Sequence, residues 1–217
     1  MLLQLASSNP GKLREFSEAA AEIGARVGQV PGLCNLSPCE EDGETFEANA
    51  RKKALHFAAY TTGLVFADDS GLCVDALDGA PGVYSARFSG PGATDEMNNR
   101  RLIEKLAQLP ARVRTRIAAP PFSGFAAHYV CVIALAQGTR ILATTEGSVE
   151  GVIVDEPRGD NGFGYDPYFF YPQRGKTFAE LAAGEKFVVS HRGIAFRKLL
   201  ATLRRGPQGA TPGSGGS

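Results

Sequence analysis

The chain has 217 residues, 43% of them hydrophobic, and its 23 basic and 23 acidic side chains give a formal net charge of zero. That length suits one domain or two small lobes around a real core. The balanced charge argues against a bulk electrostatic binder of nucleic acid or of a membrane surface, but not against a polyanionic small ligand, which needs only a local basic pocket.

The four cysteines, Cys34, Cys39, Cys73 and Cys131, form no CxxC pair, and the last two sit in apolar runs. This points to reduced, buried thiols rather than to disulfides or zinc. The apolar stretch Leu2–Ala6 is short for a signal peptide and lacks a basic flank, and no segment reaches the length of a membrane span. The expectation is a soluble, cytoplasmic protein with no nucleic-acid or membrane partner.

Leu2–Ala6 reads as a first strand, leading through Ser7-Ser8-Asn9-Pro10-Gly11-Lys12 into a helix that runs to Ile23. Leu13, Phe16, Ala20 and Ile23 share one helical face. Asn9 suits the N-cap and Pro10 the first helical position. Such a terminus offers unpaired N–H groups and the positive end of the helix dipole to a phosphate, and Lys12 adds a full charge. The GxxxxGK[ST] spacing of a P-loop is absent, and an ordinary capped helix accounts for the same residues.

Val27–Val30 is a candidate second strand, and Pro31–Gly43 a loop containing Glu40-Glu41-Asp42. Such charge runs are usually solvated. The sharper alternative is that one of these carboxylates joins Asp69 at a divalent cation, whose remaining ligands come from substrate phosphates. Thr45–Thr61 is the next helix, with Glu44 and Glu47 near its first turn and an apolar stripe of Phe46, Ala50, Ala54 and Phe57. Lys53 lies on that stripe, while Arg51 and Lys52 do not. An inward lysine either snorkels to a rim or meets a buried anion.

The stretch Val65–Gly90 follows. Leu64-Val65-Phe66-Ala67 drives into Asp68 and Asp69, then Ser70 and Gly71, which predicts a buried strand ending in a turn. Adjacent acids repel each other unless a cation or a hydrogen-bond network offsets the repulsion. An extended backbone points them to opposite faces. One is therefore expected to act as metal ligand and base, the other as a structural anchor. A solvated Asp-Asp-Ser-Gly turn is the plain alternative.

Gly79–Gly82 and Ser89–Gly92 read as loops, and Thr94–Leu109 as a helix capped by Thr94 with Leu102, Ile103 and Leu106 facing the core. Arg112–Phe125 is a basic, Pro-containing connection, with Ala118–Phe125 expected as a surface excursion. Ala126–Ala136 and Arg140–Val154 are β-branched, apolar runs separated by Gln137-Gly138-Thr139, a strong hairpin signal. Asn161–Pro167 is a glycine-flanked aromatic loop entering a strand at Tyr168–Tyr171. Its glycines let ring and backbone approach a flat ligand, although a tight turn with a packed aromatic reads the same way. Thr177–Leu181 is expected as a short helix. Gly184–Arg205 is expected as one long helix with Lys186, Ser190, His191 and Arg192 near its start and Phe196, Leu199, Leu200 and Leu203 on its core face. Residues 1–205 form one domain in this reading, and the Gly/Ser/Pro-rich tail 206–217 is expected to be disordered.

Six motifs occur in one order: Ser7–Lys12, Phe46-Glu47-Ala48-Asn49-Ala50, Ala67–Leu72, Gly79–Arg87, Gly162–Pro167 and Ser190-His191-Arg192-Gly193. In this the chain resembles the inosine/xanthosine triphosphate pyrophosphatase family, the house-cleaning enzymes for non-standard purine nucleotides, over residues 2 to about 204. The resemblance implies a mixed α/β fold of two lobes around a central mixed sheet with a nucleotide-binding cleft between them, usually as a homodimer. It implies magnesium-dependent hydrolysis of ITP, dITP and XTP to the monophosphate and pyrophosphate.

By motif, Ser7, Ser8, Asn9, Pro10, Gly11 and Lys12 would cradle the triphosphate, and Glu40 and Asp69 would hold magnesium, with Asp69 also the base. Ser70 would touch the substrate. Phe163, Gly164, Tyr165, Asp166, Lys186, His191 and Arg192 would surround the nucleotide, with Lys12, Lys53, Lys186 and Arg192 offsetting its charge. Two departures from the family pattern are the Arg112–Phe125 segment and Val149, where an aromatic is expected. A pyrophosphatase of modified pyrimidine nucleotides and a non-catalytic nucleotide-binding module stand as alternatives.

Overall fold

The computed structural model describes residues 1–21, 24–110, 113, 115–116 and 123–205. Ile23, most of the 112–125 connection and the tail from 206 lie outside them.

The alternating, β-branched runs on either side of Gly138 form the long hairpin β5 (Ser123–Gln137) and β6 (Arg140–Ile153). Gly138, at φ 56°, supplies the turn with the left-handed conformation that favours glycine. β5 pairs antiparallel along its length with β3 (Leu64–Val74). β3 in turn pairs in parallel with β1 (Leu2–Leu5), and β1 with β2 (Arg26–Gln29). On the other side of the hairpin follow β7 (Phe169–Tyr171) and β8 (Lys176–Thr177), giving the order β2-β1-β3-β5-β6-β7-β8, with β4 (Thr115–Arg116) against β5.

Among the described residues three large cores flank this sheet, beside a small cluster of Val152, Val154 and Phe170. Helices α1 (Pro10–Ala21) and α5 (His191–Arg205) cover one face through Phe16, Phe66, Phe196 and Leu199. Helix α2 (Phe46–Ala58) covers the other through Ala50, Ala54, Phe57, Val65 and Ala67. The far ends of β3, β5 and β6 join α3 (Asp95–Ala107) in a second lobe built on Leu72, Leu102, Leu106, Tyr129, Phe169 and Phe178. Caps fall where the side chains allow: Thr45 Oγ1 accepts from Ala48 N–H, and Thr94 Oγ1 from Met97 N–H.

Three expectations are corrected. The strand predicted to end before Asp68 runs on through Asp68, Asp69, Ser70 and Gly71 to Val74, because β5 supplies a backbone partner to each of these residues and both acids find buried polar partners. The long helix predicted from Gly184 is two, α4 (Ala183–Val189) and α5, broken at Ser190, whose extended backbone lets its hydroxyl cap Gly193 N–H at 3.1 Å. The hairpin's first strand begins at Ser123 rather than Ala126. Gly82–Arg87 and Phe178–Glu180 are 3-10 turns.

Candidate active site

β1 pairs with β3 only over Leu64–Phe66. From Asp68 to Leu72 one edge of β3 therefore has no strand beside it, and side chains take up backbone groups there, until Cys73 bridges Pro81 and Val74 N–H donates to the Ala80 carbonyl. Lys53 Nζ donates to the Asp68 carbonyl at 3.1 Å, and Leu72 N–H donates to Ser85 Oγ at 2.9 Å. A cavity of about 400 Å³ lies along this edge, between the two lobes. Gly71 is required there, since a Cβ would come within 2.4 Å of the Gly82 carbonyl and of Ser85 Oγ.

Most of the predicted site converges on this cavity. Ser7, Ser8, Asn9, Lys12, Lys53, Asp69, Ser70, Phe163, Gly164, Tyr165, Asp166, Lys186, His191 and Arg192 all line it. Pro10, Gly11 and Glu40 do not. Gly11 packs beneath Phe163, where a Cβ would meet the ring at 3.1 Å. The helix N-terminus also differs from expectation. Asn9 Oδ1 already accepts from Gly11 N–H at 2.8 Å and Lys12 N–H at 3.1 Å, so those donors are spent on the cap. Of the acidic run, Glu40 is exposed and Asp42 pairs with exposed Lys52, whereas Glu41 lines the cavity and meets Lys53 at 2.7 Å.

The two adjacent acids live in opposite environments. Asp68 is wholly buried, with Oδ2 at 2.9 Å from Lys12 Nζ and 3.7 Å from Arg192 Nε. Burial alone would raise its pKa, but Lys12 and Arg192, helped by Lys53, outweigh that and pull it to about 2. Asp69 projects from the other face. It makes no ion pair among the described residues, and its Oδ2 accepts from Asn49 Nδ2 at 2.9 Å. Burial, only partly offset by Asn49 and Lys53, raises its pKa. Neighbouring carboxylates whose environments push them apart are the pattern expected of a structural acid beside a working base.

Glu15, which sequence reasoning missed, completes a buried chain of alternating charge. Its oxygens meet Arg192 at 2.5 Å and Lys186 at 2.9 Å, and Lys186 also holds Asp166 at 2.7 Å. The order is therefore Lys12, Asp68, Arg192, Glu15, Lys186, Asp166. Asp166 in turn accepts from Phe163 N–H at 2.9 Å, and the Phe163 ring lies under Lys186 and Arg192 at 5.0 and 5.1 Å. The network fixes the aromatic loop against α4 and α5. Asn49 was missed too: it ties Asp69 to the acidic loop by accepting from Gly43 N–H at 2.7 Å. Its signal was a polar residue beside the apolar stripe of α2. His191 stacks on Tyr129 and stays neutral, because burial and then Arg192 and Lys186 push its pKa well below the histidine range.

The three cavity lysines and the one arginine are thus already paired, by Asp68, Glu41, Glu15 and Asp166, and Asp69 adds a carboxylate with no ion-pair partner among the described residues. A triphosphate cannot enter such a site without additional positive charge. Asp69 and Glu41 line the same cavity, and an oxygen-only donor pair fits a hard divalent cation such as magnesium. Among the described residues no group of three or more His, Cys, Asp or Glu side chains is gathered to hold a metal. A cation held by one or two carboxylates and by phosphate oxygens needs no such group.

The Ham1 family model matches residues 3–202. A dITP/XTP pyrophosphatase of Desulforamulus reducens is 46% identical over 208 residues, 94% of this chain and 96% of that protein. A dITP/XTP pyrophosphatase of Thermus thermophilus is 44% identical over 207 residues, 95% of this chain and 94% of that protein. The structure of a HAM1 protein from Coxiella burnetii superposes with a TM-score of 0.79 at 37% identity, covering 94% of this chain and 99% of that one. With its sequence and its fold both matched over nearly the whole length, the chain belongs to the Ham1 family.

Proposed function

We propose that this protein hydrolyses dITP, ITP and XTP to the nucleoside monophosphate and pyrophosphate, removing non-standard purines from the nucleotide pool. The relatives named dITP/XTP pyrophosphatase support the substrate class. The observation that carries the reading is the lining of one cavity, in which Asp69, Lys12 and Lys53 meet the rings of Phe163, Tyr165 and His191.

The triphosphate lies against Ser7, Ser8, Lys12 and Lys53, with the base toward the rings. Asp69 and Glu41 would hold magnesium, which supplies the charge that offsets the phosphates. Asp69, fixed by Asn49, orients a water and takes its proton as the oxygen attacks the α-phosphorus. Lys53, anchored on the Asp68 carbonyl and Glu41, faces the charge that builds on the leaving pyrophosphate. Asp68 acts at one remove, by holding Lys12 and Arg192 in place. Phe163 covers the base, and donors near His191 and Arg192 face its keto oxygen. The resemblance supports a cytoplasmic homodimer, and a light-scattering mass of twice the 23.0 kDa chain would bear out the dimer.

The test is a nucleotide panel scored for pyrophosphate, with Asp69→Asn alongside. Rapid release from dITP and XTP, little from dATP or dTTP, and none from the folded variant is the expected result. Near-wild-type turnover by the variant would remove Asp69 as the base, and a preference for pyrimidine triphosphates would replace the substrate class.

A further inference from the structure

Tyr129 is a cavity residue that no family motif singled out. It sits on β5 opposite Leu72 of β3, while Asp69 lies opposite Val132. Three residues of extended strand separate the two positions, about 10 Å at 3.3 Å per residue. The two side chains leave opposite faces of the sheet, and Tyr129 is placed by its stack on His191: on the functional reading above the base lies toward that ring, so Tyr129 stands at the base end.

Its ring cannot swing. It stacks on His191 at 4.5 Å with planes 9° apart, lies parallel to Phe178 at 5.8 Å, and meets Phe169 at 4.5 Å. The residue is only 6% exposed, yet it lines the cavity, and its hydroxyl makes no hydrogen bond among the described residues. Tyr165 contrasts with it, since its hydroxyl is spent on the Ser85 carbonyl at 2.9 Å. Burial, then the neighbouring Asp166 and Tyr165, push the Tyr129 pKa well above the phenol range, so the group stays a donor. A rigid, nearly buried donor that faces an aromatic-walled cavity without a partner is poised for a ligand acceptor.

We infer that the Tyr129 hydroxyl donates to the 6-keto oxygen of the purine and is a specificity-determining contact of this enzyme. The inference rests on the base occupying this end of the cavity. Adenine presents an amino group at the same place, and a purine without a 6-substituent presents nothing.

Tyr129→Phe removes one oxygen and keeps the ring packing. Steady-state kinetics of wild type and variant on dITP, XTP and dATP should show kcat/KM falling roughly tenfold for the two keto purines and far less for dATP, so that discrimination narrows. A variant that keeps full discrimination, or that loses all three activities equally, overturns the inference while a keto preference in the wild type leaves the functional reading standing. A wild type with no preference for dITP and XTP over dATP overturns both. A second measurement needs no variant: unmodified protein should bind IMP roughly tenfold more tightly than purine riboside monophosphate, which lacks the 6-oxygen. Equal binding of the two also overturns the contact.

Discussion

Removing the carboxylate of Glu15 would leave Lys186 and Arg192 buried against each other without a shared counter-charge. Glu15→Gln should therefore destabilise the fold by about 3–5 kcal/mol near neutral pH, read by chemical denaturation. The pH dependence has a definite sign. Burial raises the Glu15 pKa, but Arg192 and Lys186 outweigh it and hold the folded-state value below the ordinary one. The stabilisation is fully present above the unfolded-state pKa and is lost as pH falls through the lower folded-state value, so the wild-type advantage over Glu15→Gln should shrink in acid. An advantage that grew in acid would contradict this. Lys53 bears on the ligand instead. Lys53→Ala should weaken triphosphate binding at least about tenfold, as expected for a lost charge-assisted contact, and monophosphate binding much less. Calorimetry showing equal losses would remove Lys53 as a contact to the leaving phosphates.

Among the elements, the junction of α4 and α5 decides where His191 and Arg192 point. Ser190→Ala removes the cap on Gly193 and should cost about 1–2 kcal/mol, with a raised KM for nucleotide. Gly147 lets α5 lie directly on β6, because a Cβ there would come within 2.2 Å of the His191 carbonyl. Gly147→Ala should destabilise by about 1–3 kcal/mol through overpacking and shift α5. Unchanged melting and KM in both variants would show that this junction does not position the site. Periodicity made the hairpin, α1, α2 and α3 legible, and it placed Lys53 inward. It failed at Asp68–Gly71, where turn-like composition lost to pairing with β5, and at Ser190, where a single hydroxyl outweighed a continuous helical pattern. The contacts of Glu15 with Lys186 and Arg192 join distant segments and leave no local trace, whereas the place of Asn49 beside the apolar stripe of α2 was the only hint of its contact with Asp69. Glu40 and Glu41 are equivalent by composition, and only the path of the loop separates them.

For the molecule as a whole, β3 is the shared beam. It carries Phe66 in one core, Val65 and Ala67 in another and Leu72 in the third, with both acids between them. The cleft exists because β1 stops at Leu5 while β3 continues to Val74, which brings side chains from both faces to one open edge. On the proposed function, phosphate chemistry and base recognition share this single cavity, and the bond cut should be the one nearest Asp69. Turnover of dITP or XTP in ¹⁸O-water with magnesium, followed by mass analysis of both products, tests this directly. The expected result is one ¹⁸O in the nucleoside monophosphate and none in the pyrophosphate. Label in the pyrophosphate, or release of orthophosphate as the first product, would contradict attack at the α-phosphorus.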